Sequence, residues 1–513
     1  MDGVTAVMNQ IAEASDTPPT VVFNGDALEL AMAPTNVALD VFDQFVKRLF
    51  PPGGAAVVAP RIVLLPGNHD HDVWRMSRDE IEAREVELVD ADAPMPAVRP
   101  VTPIFGALDP DGDPIPSDLL TRVLRHRNPT HPDIEVVIAS PSAATAAGTR
   151  MLAVHHGHFT EGIYVAMTRL AHMVFGAPVD DLGPWDLEHD NGAWIDFVWS
   201  SLGREGAVGE SIRRSYDLLN TDRGRALLAS KLAASAQGHR GPKVVQQLRR
   251  AVAGIVALKL LDGVKEDELR ANAPDTPDAA TGVMAFIEGP LAKNLEVGLS
   301  GSDTAFPHDL VFLYGHTHKP FASCVSSARY PGIVRVYNSG GWVVDSPAVR
   351  AGTGGAVLVV DDTLDVALVH LGDQSDDPGA ITGTVDHADG PDAHSPLVTT
   401  LREQIAREST PWHALADATH AAVSRRRDEH ARNLERELAL TRQESGAGDT
   451  LRQMRHLLRR QLRVERKEAE HQGAGRNNDA RMRPHEARAW LARGSRSART
   501  FFGRREGPGT LTK

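Results

Sequence analysis

Four short segments of this 513-residue chain carry side chains that can bind divalent metals. They are Gly25-Asp26, Gly67-Asn68-His69-Asp70, His156-Gly157-His158 and Gly315-His316-Thr317-His318. Each follows a short apolar run, at most one residue removed: Val21–Phe23, Ile62–Leu65, Leu152–Val154 and Val311–Tyr314. Carboxylate, amide oxygen and imidazole in one set suit Mn, Fe, Zn or a similar ion better than calcium. The glycines allow sharp turns and close backbone approach at each segment.

Short apolar runs bounded by turn signals predict buried strands. We read strands at Thr20–Phe23, Arg61–Leu65, Glu135–Ala139, Met151–Val154 and Asp309–Leu313. Helices are predicted at residues 5–14 and at Asn36–Phe50. The second repeats apolar residues at Val37, Val41, Phe45 and Leu49, and at Phe42, Val46 and Phe50, with Thr35 or Asn36 as its N-cap. Strands alternating with helices imply an α/β layer structure. In open α/β sheets ligand sites gather beyond the carboxyl ends of strands. Four donor clusters at four strand ends would therefore meet in space despite their wide separation in sequence.

The order Gly-Asp, Gly-Asn-His-Asp, His-Gly-His, Gly-His-Thr-His resembles the calcineurin-like metallophosphoesterase superfamily. Asn338-Ser339-Gly340-Gly341-Trp342 resembles a segment that often follows the last motif in that family. The resemblance covers about 1–160 and 305–370. It implies a four-layer αββα sandwich and hydrolysis of phosphoric mono- or diesters, as in a phosphatase. It makes Asp26 a carboxylate bridging two divalent ions. Asn68, His156 and His316 would complete one site, and His318 would serve the other. His69 would stabilise the transition state or protonate the leaving oxygen, with Asp70 orienting it. Two such cations would clamp a phosphate and supply a water activated near neutral pH to attack phosphorus.

The family's first motif, an Asp-x-His on the strand before Gly25-Asp26, does not precede that segment here. Our expectation is that the start of the chain lies downstream of the family's first strand. The second ion would then keep only Asp26 and His318, too few for tight binding. One ion should bind well, the second poorly, and activity should be much reduced. The alternative is a catalytically impaired relative that binds a phosphorylated ligand or a partner protein.

Neighbouring polar residues have plainer readings. His155 competes with His156 as the ligand, and the His-Gly order favours His156. His158 reads as a supporting or substrate-contacting residue. Glu29 reads as a supporting or solvated group, and His71 and Asp72 as local caps. The cluster Glu188-His189-Asp190-Asn191 reads as a loop between helices, with contact to substrate as the sharper alternative.

Residues 1–371 form the expected catalytic domain, interrupted by a helical insertion at 159–304 that is far longer than an ordinary loop. Further strands are expected at Ile333–Tyr337, Trp342–Val344, Ala356–Val360 and Val366–Leu371. A Gly/Asp/Pro/Ser-rich linker at 372–395 leads to a helical extension at 396–470 and a basic, disordered tail at 471–513.

Net charge is −13, but residues 421–513 carry about +11, leaving about −24 elsewhere. That argues against a general nucleic-acid-binding fold. The helix at 451–466 has a leucine stripe beside an arginine stripe, suited to an anionic membrane, to nucleic acid, or to docking on the chain's own acidic body or, by self-association, on a second subunit. The longest apolar segment, Val244–Leu261, is interrupted by Arg249, Arg250 and Lys259, too polar for a transmembrane span. The single cysteine, Cys324, forbids an internal disulfide, and we read the chain as cytoplasmic.

Overall fold

The computed structural model describes most of residues 2–196 and 277–343, together with 354–373 and 383–444. Two compact units divide the chain, Met1–Met454 and Arg455–Lys513. The second lies outside the described residues, as does the expected tail. So do the helix at 451–466 and the run Val244–Leu261.

The first unit opens with helix α1 (Asp2–Ala12) and strand β1 (Val21–Phe23). Helix α2 (Thr35–Leu49) follows, then β2 (Arg61–Leu64) and α3 (His71–Glu87). Next come β3 (Ile115–Pro116), α4 (Asp118–Arg127) and β4 (Glu135–Ile138). These strands form one sheet in the order β1-β2-β4-β3. β1, β2 and β4 run parallel, and β3 is antiparallel to β4. Phe42, Val46 and Leu49 of α2 pack against Ile62, Leu64 and Val136 of this sheet. Fully burying such a side chain is worth about 1.5–3 kcal/mol, and that burial holds α2 in place. Pro34, which carries no side-chain hydrogen bond, caps α2 in place of the expected Thr35 or Asn36.

The second sheet contains β5 (Ser142–Ala144), β6 (Arg150–Val154), β7 (Asp309–Tyr314), β8 (Pro320–Val325) and β9 (Val334–Ser339). Its order is β5-β6-β7-β9-β8, with β6, β7 and β9 parallel. Register aligns Val154 with Leu313 and Leu313 with Tyr337, so three parallel strands end at one level. Leu152, Val154, Val311, Leu313 and Tyr337 share a core with Leu65 and Val22 from the first sheet's strands and their ends.

The described parts of the insertion are helical: α5 (Pro184–Ile195), α6 (Pro277–Phe286) and α7 (Ala292–Leu299). Leu187, Phe286 and Leu295 pack with Phe312 and Tyr314 of β7. Glu188–Asn191 therefore lies within a helix, not a loop. Leu187, Glu188 and Asn191 are buried, which fixes one face of α5 inward.

A third, antiparallel sheet holds β10 (Gly354–Val360), β11 (Val366–Asp373) and β12 (Val385–Asp386). The expected linker at 372–395 is thus partly sheet: β12 pairs with β11, and Ser395 caps the next helix. The described part of the expected helical extension is α8 (Pro396–Arg407) and α9 (Thr410–Glu444), and residues 445–470 lie outside the described residues. It belongs to the first unit, because Val398, Leu401 and Trp412 share a core with Val369 and Val7. Trp342 and Val343, expected to lie in a strand at Trp342–Val344, are not in one, and residue 344 lies outside the described residues. No helix among the described residues is long and apolar enough to cross a membrane.

Candidate metal centre

Every candidate segment lies just past the carboxyl end of a parallel strand. β1 leads to Asp26, β2 to Asn68 and His69, β6 to His156, and β7 to His316. His155 N donates to Leu313 O, and Gly315 N to His156 O at 2.9 Å, so the β6 and β7 loops leave the sheet together. Asn338, at the end of β9, is fully buried. Its amide donates to Gly315 O at 2.9 Å and to Thr317 Oγ1 at 2.8 Å. That is the structural work of the Asn338–Trp342 segment.

Backbone strain concentrates here. Among the described residues four non-glycine positions have positive φ, and three are Asp26 (53°), His316 (66°) and His318 (59°). Each such conformation costs about 1–3 kcal/mol and persists only where the surroundings enforce it. Two glycines make room for the ligands. A Cβ on Gly67 would collide with Asp26 Oδ1, and one on Gly25 with the His156 ring.

The donor atoms of Asp26, His156 and His316 all lie within 4.8 Å of one another. His156 Nε2 is 3.1 Å from Asp26 Oδ2, 3.2 Å from Asn68 Oδ1 and 3.3 Å from His316 Nδ1. His156 Nδ1 lies 2.8 Å from Asn24 O. A carbonyl only accepts, so Nδ1 is the protonated nitrogen and Nε2 turns its lone pair to the centre. A carboxylate, an amide oxygen and two imidazole lone pairs then face one gap. Such a set could hold a cation. Without a metal a proton fills that part: burial pushes His156 down, but the Asp26 charge and hydrogen bond hold it above its ordinary value. Burial likewise pushes Asp26 up, yet His156, His69 and His316 pull it well below the usual carboxylate range. The residues present fit one divalent ion.

His318 stands outside this group. Its ring lies against Gly341, where a Cβ would collide with it. No second cluster of three His, Cys, Asp or Glu donors forms among the described residues. His155 also stands outside. It packs on Phe286, its Nδ1 accepts from Gly157 N at 3.0 Å, and burial pushes its pKa down to about 3.

His69 sits beside the group, its backbone N–H donating to Asp26 Oδ1 at 2.8 Å. The carboxylate on its Nδ1 is Glu29's, with both oxygens at 2.9 Å. Asp70 was expected to orient this ring. Instead its two oxygens accept from Gly67 N and Ala27 N, each at 2.8 Å, and tie the β1 and β2 loops together. Burial lowers the His69 pKa, but Glu29, then Asp26, outweigh it and raise it to about 10. Burial and the Asp26 charge push Asp70 up to about 6.

Sequence reasoning passed over two carboxylates, Glu161 and Asp196, and left Glu29 open as a supporting or solvated group. Glu29 holds His69. Glu161 Oε1 lies 3.0 Å from His316 Nε2, close but not aligned as a hydrogen bond. Asp196, at the end of α5, accepts from His71 Nδ1 at 2.6 Å. The last contact joins the insertion to the start of α3, so His71 is more than a local cap. Only the three-residue step from Asp26 to Glu29 is visible in sequence, and it carries no distinctive signal.

Compared with known proteins, no family model, curated protein or solved structure matches this chain. The functional reading rests on the centre itself.

Proposed function

We propose that the chain is a metal-dependent phosphoric ester hydrolase of the calcineurin-like type. The observation that carries this reading is the meeting of Asp26, Asn68, His156 and His316 from four strand ends around one gap. The layering supports a four-layer sandwich. Helices α2–α4 back the first sheet, a shared core joins it to the second, and α5–α7 back the second. The single Cys324 supports action in a reducing compartment, the cytoplasm.

When bound, the ion supplies Lewis acidity and a water of lowered pKa. The protein's residues do the rest. Asn24 fixes the His156 tautomer, and Asp70 holds two ligand-bearing loops in register. His69 stays charged at neutral pH because Glu29 and Asp26 face it. With Nδ1 held by Glu29, its Nε2–H is the proton delivered to the leaving oxygen. Asp26 and His318 would serve a second ion, and as a pair they bind weakly.

A second reading, an impaired relative that binds phosphorylated ligands without turnover, is favoured by the position of His318 outside the cluster. Hydrolysis of bis(p-nitrophenyl) phosphate with Mn²⁺ separates the two. The wild-type chain should turn over, and His69→Ala should lower kcat about 10²–10⁴-fold with Mn²⁺ affinity intact. Mn²⁺ binding without any turnover would select the second reading.

A further inference from the structure

A buried imidazole without a hydrogen-bond partner stands beside the centre. His158 is 2% exposed, and neither its Nδ1 nor its Nε2 has a hydrogen-bond partner. Its ring centroid lies 5.4 Å from that of His156 and 6.2 Å from that of His316. Among the described residues, the other rings around it are Phe159 at 3.9 Å, Tyr164 at 5.2 Å and His155 at 5.7 Å.

An imidazole always carries at least one N–H donor, and burying it unpaired is costly. For packing alone, phenylalanine would serve here at no such cost. The backbone nonetheless commits to presenting this side chain. Gly157 adopts φ +111° and lies so close to Tyr314 that a Cβ would collide with it. Thr160 N and Oγ1 then donate to Gly157 O, closing a tight turn over His158–Thr160. His158 is not among the donors that lie within 4.8 Å of one another, so it is not placed to ligate the same ion. What remains for it is a polar atom brought by a ligand of that ion.

We propose that His158 is a phosphate-contacting residue, its ring N–H donating to an oxygen of a phosphate held at the Asp26–Asn68–His156–His316 centre. The inference rests on the phosphoester reading of that centre. It adds a specificity-determining group that favours an oxyanion over a neutral ligand.

The test uses the full chain and three substitutions. His158→Phe keeps the ring and removes both nitrogens, while His158→Asn and His158→Gln return a donor near Nδ1 or Nε2. Calorimetry follows Mn²⁺ alone, then inorganic phosphate at saturating Mn²⁺. For His158→Phe, Mn²⁺ affinity should stay within about two-fold of wild type, and phosphate affinity should fall about 10-fold or more, as for a hydrogen bond to a charged group. One of the amide variants should recover part of that loss. Without metal, His158→Phe should melt no lower than wild type, because the unpaired nitrogens are gone. Phosphate bound equally well by His158→Phe would overturn the proposal. So would a markedly lower metal-free melting temperature, which would mean that the nitrogens are satisfied inside the fold. If wild type binds no Mn²⁺, the reading of the centre fails and the phosphate role fails with it. If wild type binds both and the variant matches it, the proposal alone fails.

Discussion

Glu29→Gln should lower the pKa of His69 while leaving the ring charged at pH 7. Both Glu29 oxygens lie 2.9 Å from His69 Nδ1, and the raised pKa of about 10 compares with an ordinary 6.5. Burial opposes that rise, so the neighbouring charges supply more than the net shift. Glu29 leads them, followed by Asp26, with Asp70 a smaller contributor. An opposite charge at this range is worth about 1–3 pKa units. The Glu29 side chain is 45% exposed, so solvent screens it and the lower part of that range applies. We expect His69 to fall by about 1–2 units, or roughly 1.4–2.7 kcal/mol of preference for the charged ring. The sign for stability follows. A histidine whose folded pKa exceeds its unfolded one stabilises fully below about pH 6.5 and loses that contribution as pH rises through about 10. Glu29→Gln should thus destabilise the metal-free protein at pH 6 and have no effect through this pair near pH 11. The assay is an NMR titration of the His69 ring in metal-free protein. Wild-type His69 should remain charged at pH 9, and the variant should titrate near 8 to 9. A wild-type midpoint near 6.5, or an unchanged midpoint in the variant, would refute the reasoning.

Two further substitutions probe the surroundings. Gly67→Ala should weaken Mn²⁺ binding at least 10-fold, because a Cβ there collides with Asp26 Oδ1, and overpacking of this kind costs about 1–3 kcal/mol. Gly289→Ala, with nothing within 4 Å of its added Cβ, is the control, and equal calorimetric affinities in the two variants would contradict the account. Asp196→Asn should cost about 1–3 kcal/mol by weakening the 2.6 Å bond that buried His71 donates. An unchanged urea midpoint would show that α5 does not anchor α3.

What the sequence made legible was the frame of the centre. Apolar runs such as Ile62–Leu65 and Val311–Tyr314 are buried on both faces, as parallel strands require. The turn residues after them could therefore be placed at strand ends. Helix α3 was not legible, because His71–Glu87 is mostly polar and shows no clear apolar stripe. Strand β8 was hidden for a related reason: Pro320–Val325 lies at a sheet edge and is only half-buried. The partners of the histidines were invisible because they are long-range. Asp196 reaches His71 across 125 residues, and no local pattern records that. The role of Asp70 was misplaced for the same reason, since its bonds run to backbone N–H groups, and any carboxylate looks alike in sequence.

The central claim is one metal centre built by Asp26, Asn68, His156 and His316. Calorimetric titration of Mn²⁺ into metal-free chain, with ion content measured after dialysis, tests it most directly. The account predicts one tightly held ion per chain, lost in His156→Phe and retained in His155→Phe. Affinity should rise with pH, because the ion displaces the proton that Asp26 keeps on His156. Two tightly held ions per chain, or an ion retained in His156→Phe, would contradict it.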